Sequence, residues 1–358
     1  MRKIVIRADA SVWIGTGHIM RCIVLAECLK EEGFDVSFSC LPQRGNMIAF
    51  IESRGFKVNV LTLLDHLVEP KSDSTYDAWL QRSPEEDAKD FLSYKVNASW
   101  VICDHYALDE NWQKLVKSEL NCRILCIDDL VRKHFADIIV DQTLGRRPED
   151  YEAIGVVLAG SKYSILNKKF SEFRSYAKHR KAPVLTKPQI LITMGGIDPP
   201  NATIKVLKSL VPMVEATFTV LLGTRSPHFY EVQTWCENYD NVNHIDFSDN
   251  MAQMMLEHNI AIGAPGSTSW ERACLGLPSI VIPLADNQIE ICQRLVKHGV
   301  ALEVKLEDIE TTLYGTYEAL LKSWESLHLA SLNTSDGQGA QRVVKELMKL
   351  EYESIDGL

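Results

Sequence analysis

The sequence predicts an α/β fold with two doubly wound, Rossmann-like domains of parallel strands that face a cleft. Three observations predict it. Short apolar strand-like segments alternate with helical patterns, the series restarts after residue 188, and 358 residues are enough for two cores. Alternation of this kind is typical of a parallel sheet with helices on both faces. Because ligands bind at the carboxyl ends of such strands, binding residues are expected in the loops that follow them.

The first domain is predicted over residues 1–165. Its strand-like segments are 3–8, 35–40, 58–61, 100–104, 124–128 and 138–140. Helical patterns between them occupy 18–31, 46–54, 84–96 and 109–119. The stretch 63–83 is polar and rich in turn-forming residues, so we expect it to form a surface excursion. One place for this excursion is over the active site.

The second domain is predicted over residues 166–358. It follows a polar, basic connector at 165–188 that contains Pro183 and Pro188. Its strand-like segments are 189–194, 218–222, 242–247, 260–264 and 278–283, and its helical patterns are 201–212, 227–237, 249–258, 267–276 and 288–298. A last helix near 338–351 fits either domain, and one option is that it packs back on the first.

Composition and charge limit the partners of the chain. The hydrophobic content of 46% and charged content of 24% are typical of a globular protein. The net charge of −10 argues against nucleic acid, whose binders usually carry a basic stripe. No apolar run reaches about 18 residues and no signal peptide precedes the first strand, so we expect a cytoplasmic protein without membrane insertion. Nine cysteines without a Cys-x-x-Cys pair indicate buried thiols in a reducing compartment.

The loop at residues 15–22, which reads GTGHIMRC, is the first candidate site. Its glycines let backbone approach a ligand closely. His18 falls at the positive end of the following helix, which disfavours the imidazolium and suits a general base. The alternative is a glycine-rich turn in which His18 only caps the helix. Because the loop lacks the third glycine of the dinucleotide fingerprint, it gives little support to an oxidoreductase.

The second candidate site is the segment at 263–272, which reads GAPGSTSWER. It follows a strand, and Ser267 or Thr268 is expected at the N-cap of the next helix. Free backbone amides and hydroxyls there suit a diphosphate, with Gly266 allowing close approach. Glu271, one turn later, is placed to bind ribose hydroxyls. The alternative is an ordinary capped helix with an acidic first turn.

Two weaker candidates lie in the same domain. Gly195 and Gly196 end a strand, before Asp198, and form a second possible phosphate or sugar contact. Asn287 and Gln288 follow another strand, and their amides offer a donor and an acceptor together for sugar recognition. In both places the alternative is helix capping.

In the first domain, polar residues follow two predicted strands. Asp104, His105 and Tyr106 end one of them, and Asp128 ends the next. Asp104 is expected either to orient His18 or to bind substrate, and His105 is a rival base. Each of these side chains has capping of the next helix as its alternative role.

The motifs together resemble the UDP-sugar hydrolases of pseudaminic acid biosynthesis. The matching segments, in the order of that family, are GTGHIMRC at 15–22, DHY at 104–106, IDD at 127–129, GGID at 195–198, GSTSWE at 266–271 and DGQG at 336–339. The resemblance implies a glycosyltransferase B (GT-B) architecture, related to the enzyme that adds N-acetylglucosamine to lipid I.

The resemblance also implies an activity. UDP-2,4-diacetamido-2,4,6-trideoxy-β-L-altropyranose is hydrolysed to the free sugar and UDP, with inversion, and His18 activates the water. UDP is expected against Gly195, Gly196, Gly266, Ser267, Thr268 and Glu271. Substrate contacts are expected from Gly17, Arg21, Asp104, His105, Tyr106, Asp128, Asn287 and Gln288. Neither a metal nor another cofactor is expected, and the partner is a small UDP-sugar.

Rival functions remain on the same residues. The first is a GT-B glycosyltransferase that uses a UDP-sugar donor with a sugar or lipid acceptor. The second is a UDP-sugar epimerase. A third alternative, which is not an enzyme, is a nucleotide-sugar sensor that would bind the nucleotide sugar without releasing UDP.

Overall fold

The computed structural model describes residues 2–63, 68–71, 75–95, 97–183 and 187–353. The chain divides into two compact units: residues 1–165 with 338–358 form the first, and residues 166–337 form the second. Two predicted segments lie partly outside the described residues, at 64–67 and 72–74 of the surface excursion and at 184–186 of the connector. Among the described helices, none is long and apolar enough to cross a bilayer.

The first unit alternates strands and helices from its start. Its strands are β1 (Lys3–Ala8), β2 (Asp35–Cys40), β3 (Lys57–Val60), β4 (Trp100–Asp104), β5 (Arg123–Ile127), β6 (Ile138–Asp141) and β7 (Val156–Ala159). Its helices up to this point are α1 (Gly17–Glu31), α2 (Ile48–Ser53), α3 (Tyr76–Trp79), α4 (Pro84–Ser93) and α5 (Glu110–Leu120). The seven strands form one parallel sheet in the order β3-β2-β1-β4-β5-β6-β7.

Strand β1 illustrates why helices cover both faces of this sheet. Successive side chains of a strand point to opposite faces. Ile4 and Ile6 therefore pack in one core with the apolar side of α1. Val5 packs in the other core, with Phe91 of α4 and Trp112 of α5. A strand that is apolar at successive positions can be stable only between two helical layers.

The second unit repeats this plan. Its strands are β8 (Gln189–Thr193), β9 (Thr217–Leu221), β10 (Val242–Ile245), β11 (Ile260–Gly263), β12 (Ser279–Val281) and β13 (Ala301–Glu303). Its helices are α6 (Lys168–Ala177), α7 (Ala202–Leu210), α8 (Phe229–Cys236), α9 (Met251–Glu257), α10 (Thr268–Cys274), α11 (Ile289–Lys297), α12 (Ile309–Lys322) and α13 (Trp324–Leu332). The parallel sheet has the order β10-β9-β8-β11-β12-β13.

The last helix, α14 (Gly339–Glu353), packs in the first unit. Val343 and Leu347 are buried in the same core as Ile4 and the apolar side of α1. The indole of Trp100 in β4 donates a hydrogen bond to Glu351 Oε2 over 2.7 Å. These contacts give α14 an apolar face in the first core and a polar anchor on its sheet.

The predicted fold class, parallel sheets covered by helices in two repeats, is confirmed. The sequence analysis missed the edge strands β7 and β13 and the helices α3, α6, α12 and α13. Both missed strands are short and lie at an edge of their sheet, where a neighbouring strand pairs with them on one side only. The helix predicted at 84–96 ends at Ser93, because Lys95 has a φ of 48°, which no helix accommodates.

A buried charge network joins β1 to α4. Arg7 donates from Nε to Asp87 Oδ1 over 3.1 Å and from Nη2 to Asp87 Oδ2 over 2.7 Å, and both side chains are fully buried. Arg82 and the Trp112 indole also donate to the Asp87 carboxylate. Burial alone would raise the pKa of Asp87, but Arg7 and Arg82 lower it below its usual value.

Replacing Asp87 with alanine is expected to lower the free energy of unfolding by about 3–5 kcal/mol, because Arg7 loses its main buried counter-ion. Urea denaturation of the Asp87→Ala variant measures the change. Glu85→Ala is the control, since Glu85 forms an exposed pair with Lys89 at 2.8 Å and its removal should leave the midpoint nearly unchanged. Equal midpoints for the two variants would contradict the assignment.

Candidate active site

The turn before α1 places His18 at the start of that helix. Gly15 has a φ of 78°, a conformation that L side chains rarely adopt. The Ser11 hydroxyl accepts hydrogen bonds from the amides of Trp13 and Ile14, which closes the turn. Gly17 begins α1, so that His18 is its second residue, with only 8% of its surface exposed.

A carboxylate orients the His18 ring. Nδ1 of His18 lies 2.6 Å from Oδ1 of Asp104, the last residue of β4. Burial alone would raise the pKa of the Asp104 carboxyl, but Arg21 and His18 hold it well below its usual range. An ionised carboxylate only accepts hydrogen bonds, so we assign the ring proton to Nδ1. Nε2, which has no hydrogen-bond partner among the residues that the structure describes, then carries the free lone pair.

Arg21 fixes the same carboxylate. Its Nε lies 2.6 Å from Asp104 Oδ2 and its Nη2 lies 2.6 Å from Oδ1, a bidentate pair. The guanidinium is buried, and its Nη1 lies 3.8 Å from the carboxylate of Asp129. Arg21 was predicted to contact substrate; in this structure its donors face the carboxylates of Asp104 and Asp129, and its Nη2 also lies 3.2 Å from His18 Nδ1. The geometry therefore joins three predicted residues, His18, Arg21 and Asp104, in one cluster.

Three aromatic side chains surround His18. Tyr106, a predicted substrate contact, meets the His18 ring edge-on at a centroid distance of 4.9 Å. Trp79 lies 6.3 Å from the same ring and 5.6 Å from that of Tyr106. Tyr76 packs on both Trp79 and Tyr106 at 4.9 Å. The His18 ring is therefore flanked by an aromatic wall formed by Tyr76, Trp79 and Tyr106.

Two of these aromatics correct the expectation for residues 63–83. The described end of that stretch forms α3, and Ala78, Trp79 and Leu80 are buried, so this part is not a surface excursion. The short apolar segment at 78–80 comes soon after the polar run at 69–74, so the whole stretch was interpreted as polar. A tryptophan flanked by apolar residues was the signal available in the sequence.

The other polar residues that follow the strands lie in neighbouring networks. His105 is buried, its Nδ1 accepts the amide proton of Ala107 over 3.1 Å, and burial lowers its pKa to about 4. The carboxylate of Asp128 accepts from Arg132 over 2.8 Å and from the Tyr151 hydroxyl over 3.2 Å. Of the two predicted histidines in this unit, His18 is the one whose Nδ1 is held by a carboxylate within hydrogen-bond distance while its Nε2 has no hydrogen-bond partner among the described residues.

In the second unit, the segment after β11 is a turn that leads into α10. A Cβ on Gly263 would lie 2.1 Å from the carbonyl oxygen of Thr193, so β8 and β11 approach each other as only glycine allows. Ser267 precedes α10, which begins at Thr268, and its hydroxyl makes no capping hydrogen bond. Gly266 has open space around its α-carbon.

Glu271 and Arg272 hold buried polar atoms beside this turn. Glu271 Oε2 is buried without a hydrogen-bond partner among the described residues, and burial raises the pKa of its carboxyl to about 7 against the opposing effect of Arg272. Arg272 Nη2 donates to the carbonyl of Ala264 over 2.9 Å and to the Ser269 hydroxyl over 3.0 Å. Arg272, which the sequence analysis did not select, thereby fixes the turn that carries Ser267.

The remaining predicted residues lie at turns of the second unit. Gly195 has a φ of 88°, which glycine adopts without strain, and Gly196 follows it before α7. The Asp198 carboxylate accepts hydrogen bonds from the backbone amides of Ala202 and Thr203, the first residues of α7. Asp198 therefore caps this helix, which was its alternative role. Gln288 Oε1 accepts the Leu284 amide over 2.9 Å, while Asn287 is half-buried. Within the described residues, no group of three or more His, Cys, Asp or Glu side chains is placed to hold a metal ion.

Comparison with known proteins confirms the resemblance. Residues 190–347 match the glycosyltransferase family 28 C-terminal domain. The chain is 27% identical over 307 residues to the UDP-2,4-diacetamido-2,4,6-trideoxy-beta-L-altropyranose hydrolase of Campylobacter jejuni subsp. jejuni serotype O:2, which covers 85% of this chain and 99% of that protein.

Solved structures show the fold. Acinetobacter baumannii MurG superposes with a TM-score of 0.65 at 15% identity, covering 98% of this chain and all of MurG. The spinosyn rhamnosyltransferase SpnG, complexed with thymidine diphosphate, gives a TM-score of 0.64 at 13% identity, with 97% and 100% coverage. The chain therefore has the GT-B fold of these glycosyltransferases.

Proposed function

We propose that this chain, with its GT-B fold, is a UDP-sugar hydrolase that cleaves the bond between the anomeric carbon and the diphosphate, with inversion. The observation that carries the proposal is the His18–Asp104 contact of 2.6 Å at the start of α1. It leaves a lone pair on Nε2 in a mostly buried ring, which is what a general base for water requires. Similarity to the Campylobacter jejuni hydrolase supports the reaction.

The proposed chemistry assigns one step to each group. His18 Nε2 takes a proton from water while the water oxygen bonds to the anomeric carbon. The bond from that carbon to the phosphate oxygen breaks, and its electron pair leaves with UDP. Asp104 accepts a hydrogen bond from Nδ1–H and stabilises the imidazolium as it forms, and Arg21 holds Asp104 in place. Attack opposite the leaving group gives inversion.

The nucleotide is assigned to the second unit. We place the diphosphate against Gly195, Gly196 and the Gly266–Thr268 turn, and the ribose against Glu271, whose buried Oε2 needs a donor. The match of residues 190–347 to a glycosyltransferase domain supports this assignment. The complex of SpnG with thymidine diphosphate supports a nucleoside diphosphate as the class of ligand. Asn287 and Gln288 remain proposed sugar contacts.

A glycosyltransferase is the second candidate, and the family 28 match favours it. The substrate proposed here is the one in the name of the Campylobacter jejuni relative, in pseudaminic acid biosynthesis. NMR of this UDP-sugar with the protein and no acceptor tests the choice. A hydrolase releases free reducing sugar and UDP at equal rates. An unchanged UDP-sugar indicates a transferase or a sensor, and an isomerised one an epimerase; either result contradicts the proposal.

Glu271 makes UDP binding depend on pH. Ribose hydroxyls donate to the ionised carboxylate, and burial raises the pKa of that carboxyl to about 7. Raising the pH from 6 to 8 ionises Glu271 and is expected to tighten UDP binding by up to about tenfold. Calorimetry at both pH values measures this, and Glu271→Gln is the control, because protonation of UDP itself is common to both proteins. The same pH dependence in both would show that Glu271 does not bind the ribose.

A further inference from the structure

The carboxyl edge of the first sheet holds buried polar atoms that lack partners. Asp9 follows β1, Gln43 follows β2 and His105 follows β4, and all three side chains are buried. Gln43 Oε1 and Trp79 Nε1 have no hydrogen-bond partner among the described residues. Asp9 Oδ2 and His105 Nε2 also lack a hydrogen bond, but they lie 3.6 Å from each other, within ion-pair distance. Native proteins leave few such groups, so a cluster of them beside His18 indicates a polar ligand.

Trp79 connects this cluster to the reacting centre. Its ring faces those of His18 and Tyr106, and its carbonyl oxygen accepts a hydrogen bond from Gln43 Nε2 over 2.7 Å. The side chain is 4% exposed. A sugar whose anomeric carbon receives water from His18 must extend beyond that carbon by about the width of one ring. The Trp79 ring, whose centroid lies 6.3 Å from that of His18, is within that reach.

The chemistry of these groups fits a secondary amide on the sugar. The Trp79 indole is a donor only, which suits a carbonyl oxygen. Gln43 Oε1 is an acceptor, which suits an amide N–H, and aromatic rings suit a methyl group. An acetamido substituent combines all three features, whereas a hydroxyl group offers no methyl and no carbonyl.

We propose that Trp79 determines the specificity of this site by donating its indole N–H to the carbonyl oxygen of an acetamido group on the sugar. The inference rests on the proposed function. The Trp79 N–H is buried without a hydrogen-bond partner among the described residues. A buried donor without a partner is costly, and the acetamido carbonyl removes that cost.

The test is Trp79→Phe, which keeps an aromatic ring and removes the N–H. We compare kcat/KM for the diacetamido UDP-sugar with that for the same UDP-sugar carrying hydroxyl groups instead. The variant is expected to lose about tenfold in the ratio of these two values, because one hydrogen bond to the amide is lost. The loss should fall on KM, since the N–H does not act on the reacting bond.

Trp100→Phe is the matched control, because the Trp100 N–H already has a protein partner in Glu351. Trp100→Phe should lower the melting temperature and leave the substrate ratio unchanged. Trp79→Phe should change the ratio and lower the melting temperature no more than Trp100→Phe does, since both lose packed volume but the Trp79 N–H has no partner to lose. The ¹⁵N NMR signal of the Trp79 indole N–H is identified as the one that Trp79→Phe lacks. In the wild type, the chemical shift of this signal should change when the free diacetamido sugar is added.

The outcomes separate the two claims. If the wild type hydrolyses the diacetamido UDP-sugar and Trp79→Phe keeps the wild-type ratio, the role of Trp79 is overturned. A Trp79 indole signal whose chemical shift does not change when the free sugar is added also overturns the role of Trp79. If the wild type releases no sugar from either UDP-sugar, the proposed function itself fails.

Discussion

Replacing His18 with alanine is expected to lower kcat for UDP-sugar hydrolysis by about 10²–10⁴-fold, the range typical of a lost general base. The ring nitrogen that would take the proton from water is removed, and among the described residues no other accessible imidazole contacts Asp104. His105 cannot replace it, because the ring is buried and its pKa is lowered to about 4. His18→Phe should behave in the same way, since it fills the space without a nitrogen.

Steady-state release of free sugar measures this loss, and calorimetry with UDP measures nucleotide binding. UDP binding should be nearly unchanged in His18→Ala, because the proposed nucleotide residues belong to the second unit. His298→Ala is the control: His298 is exposed, its Nδ1 lies 2.8 Å from the carbonyl oxygen of Arg294, and kcat should stay at the wild-type value. Full activity in His18→Ala would refute the role of His18.

Replacing Asp104 with asparagine is expected to produce the second large loss, about 10²–10⁴-fold in kcat. The asparagine amide can donate to Nδ1, which moves the ring proton to Nε2 and removes the lone pair that takes the proton from water. The change also leaves the buried Arg21 guanidinium without its bidentate partner. The free energy of unfolding should therefore fall by about 3–5 kcal/mol.

The two effects of Asp104→Asn are measured separately, kcat by sugar release at a temperature where the variant is folded and stability by urea denaturation. Asp109→Asn is the matched control. Asp109 caps α5 by accepting amide protons from Asn111 and Trp112, and asparagine caps equally well. It should match the wild type in both measurements. A fully active Asp104→Asn variant would exclude the His18–Asp104 pair as the base.

The fold was accessible from the sequence because its central strands are long and apolar. β1 and β4 have five or six consecutive buried or apolar positions, each followed by a helical pattern. The edge strands β7 and β13 have three or four residues and leave no such pattern. Packing against the rest of the sheet makes them strands.

Site residues could be predicted only where a chemically suitable side chain lies at or after the carboxyl end of a predicted strand. His18 and Asp104 each follow a strand of the same parallel sheet, so the topology brings them to one edge. Trp79 could not be predicted this way. It follows no strand, and its place beside His18 comes from tertiary packing of a four-residue helix on Tyr106. Arg21 was selected, but its bidentate contact with Asp104 depends on a distance across the sheet that sequence spacing does not give.

Hydrolysis of the diacetamido UDP-sugar in ¹⁸O-labelled water tests water attack at the anomeric carbon most directly. Mass spectrometry locates the label, and early NMR spectra identify the first anomer of the free sugar. The account predicts ¹⁸O in the sugar, none in UDP, and an inverted first anomer, with product formation in His18→Ala slowed by about 10²–10⁴-fold. Label in the phosphate of UDP, or a retained first anomer, would contradict it.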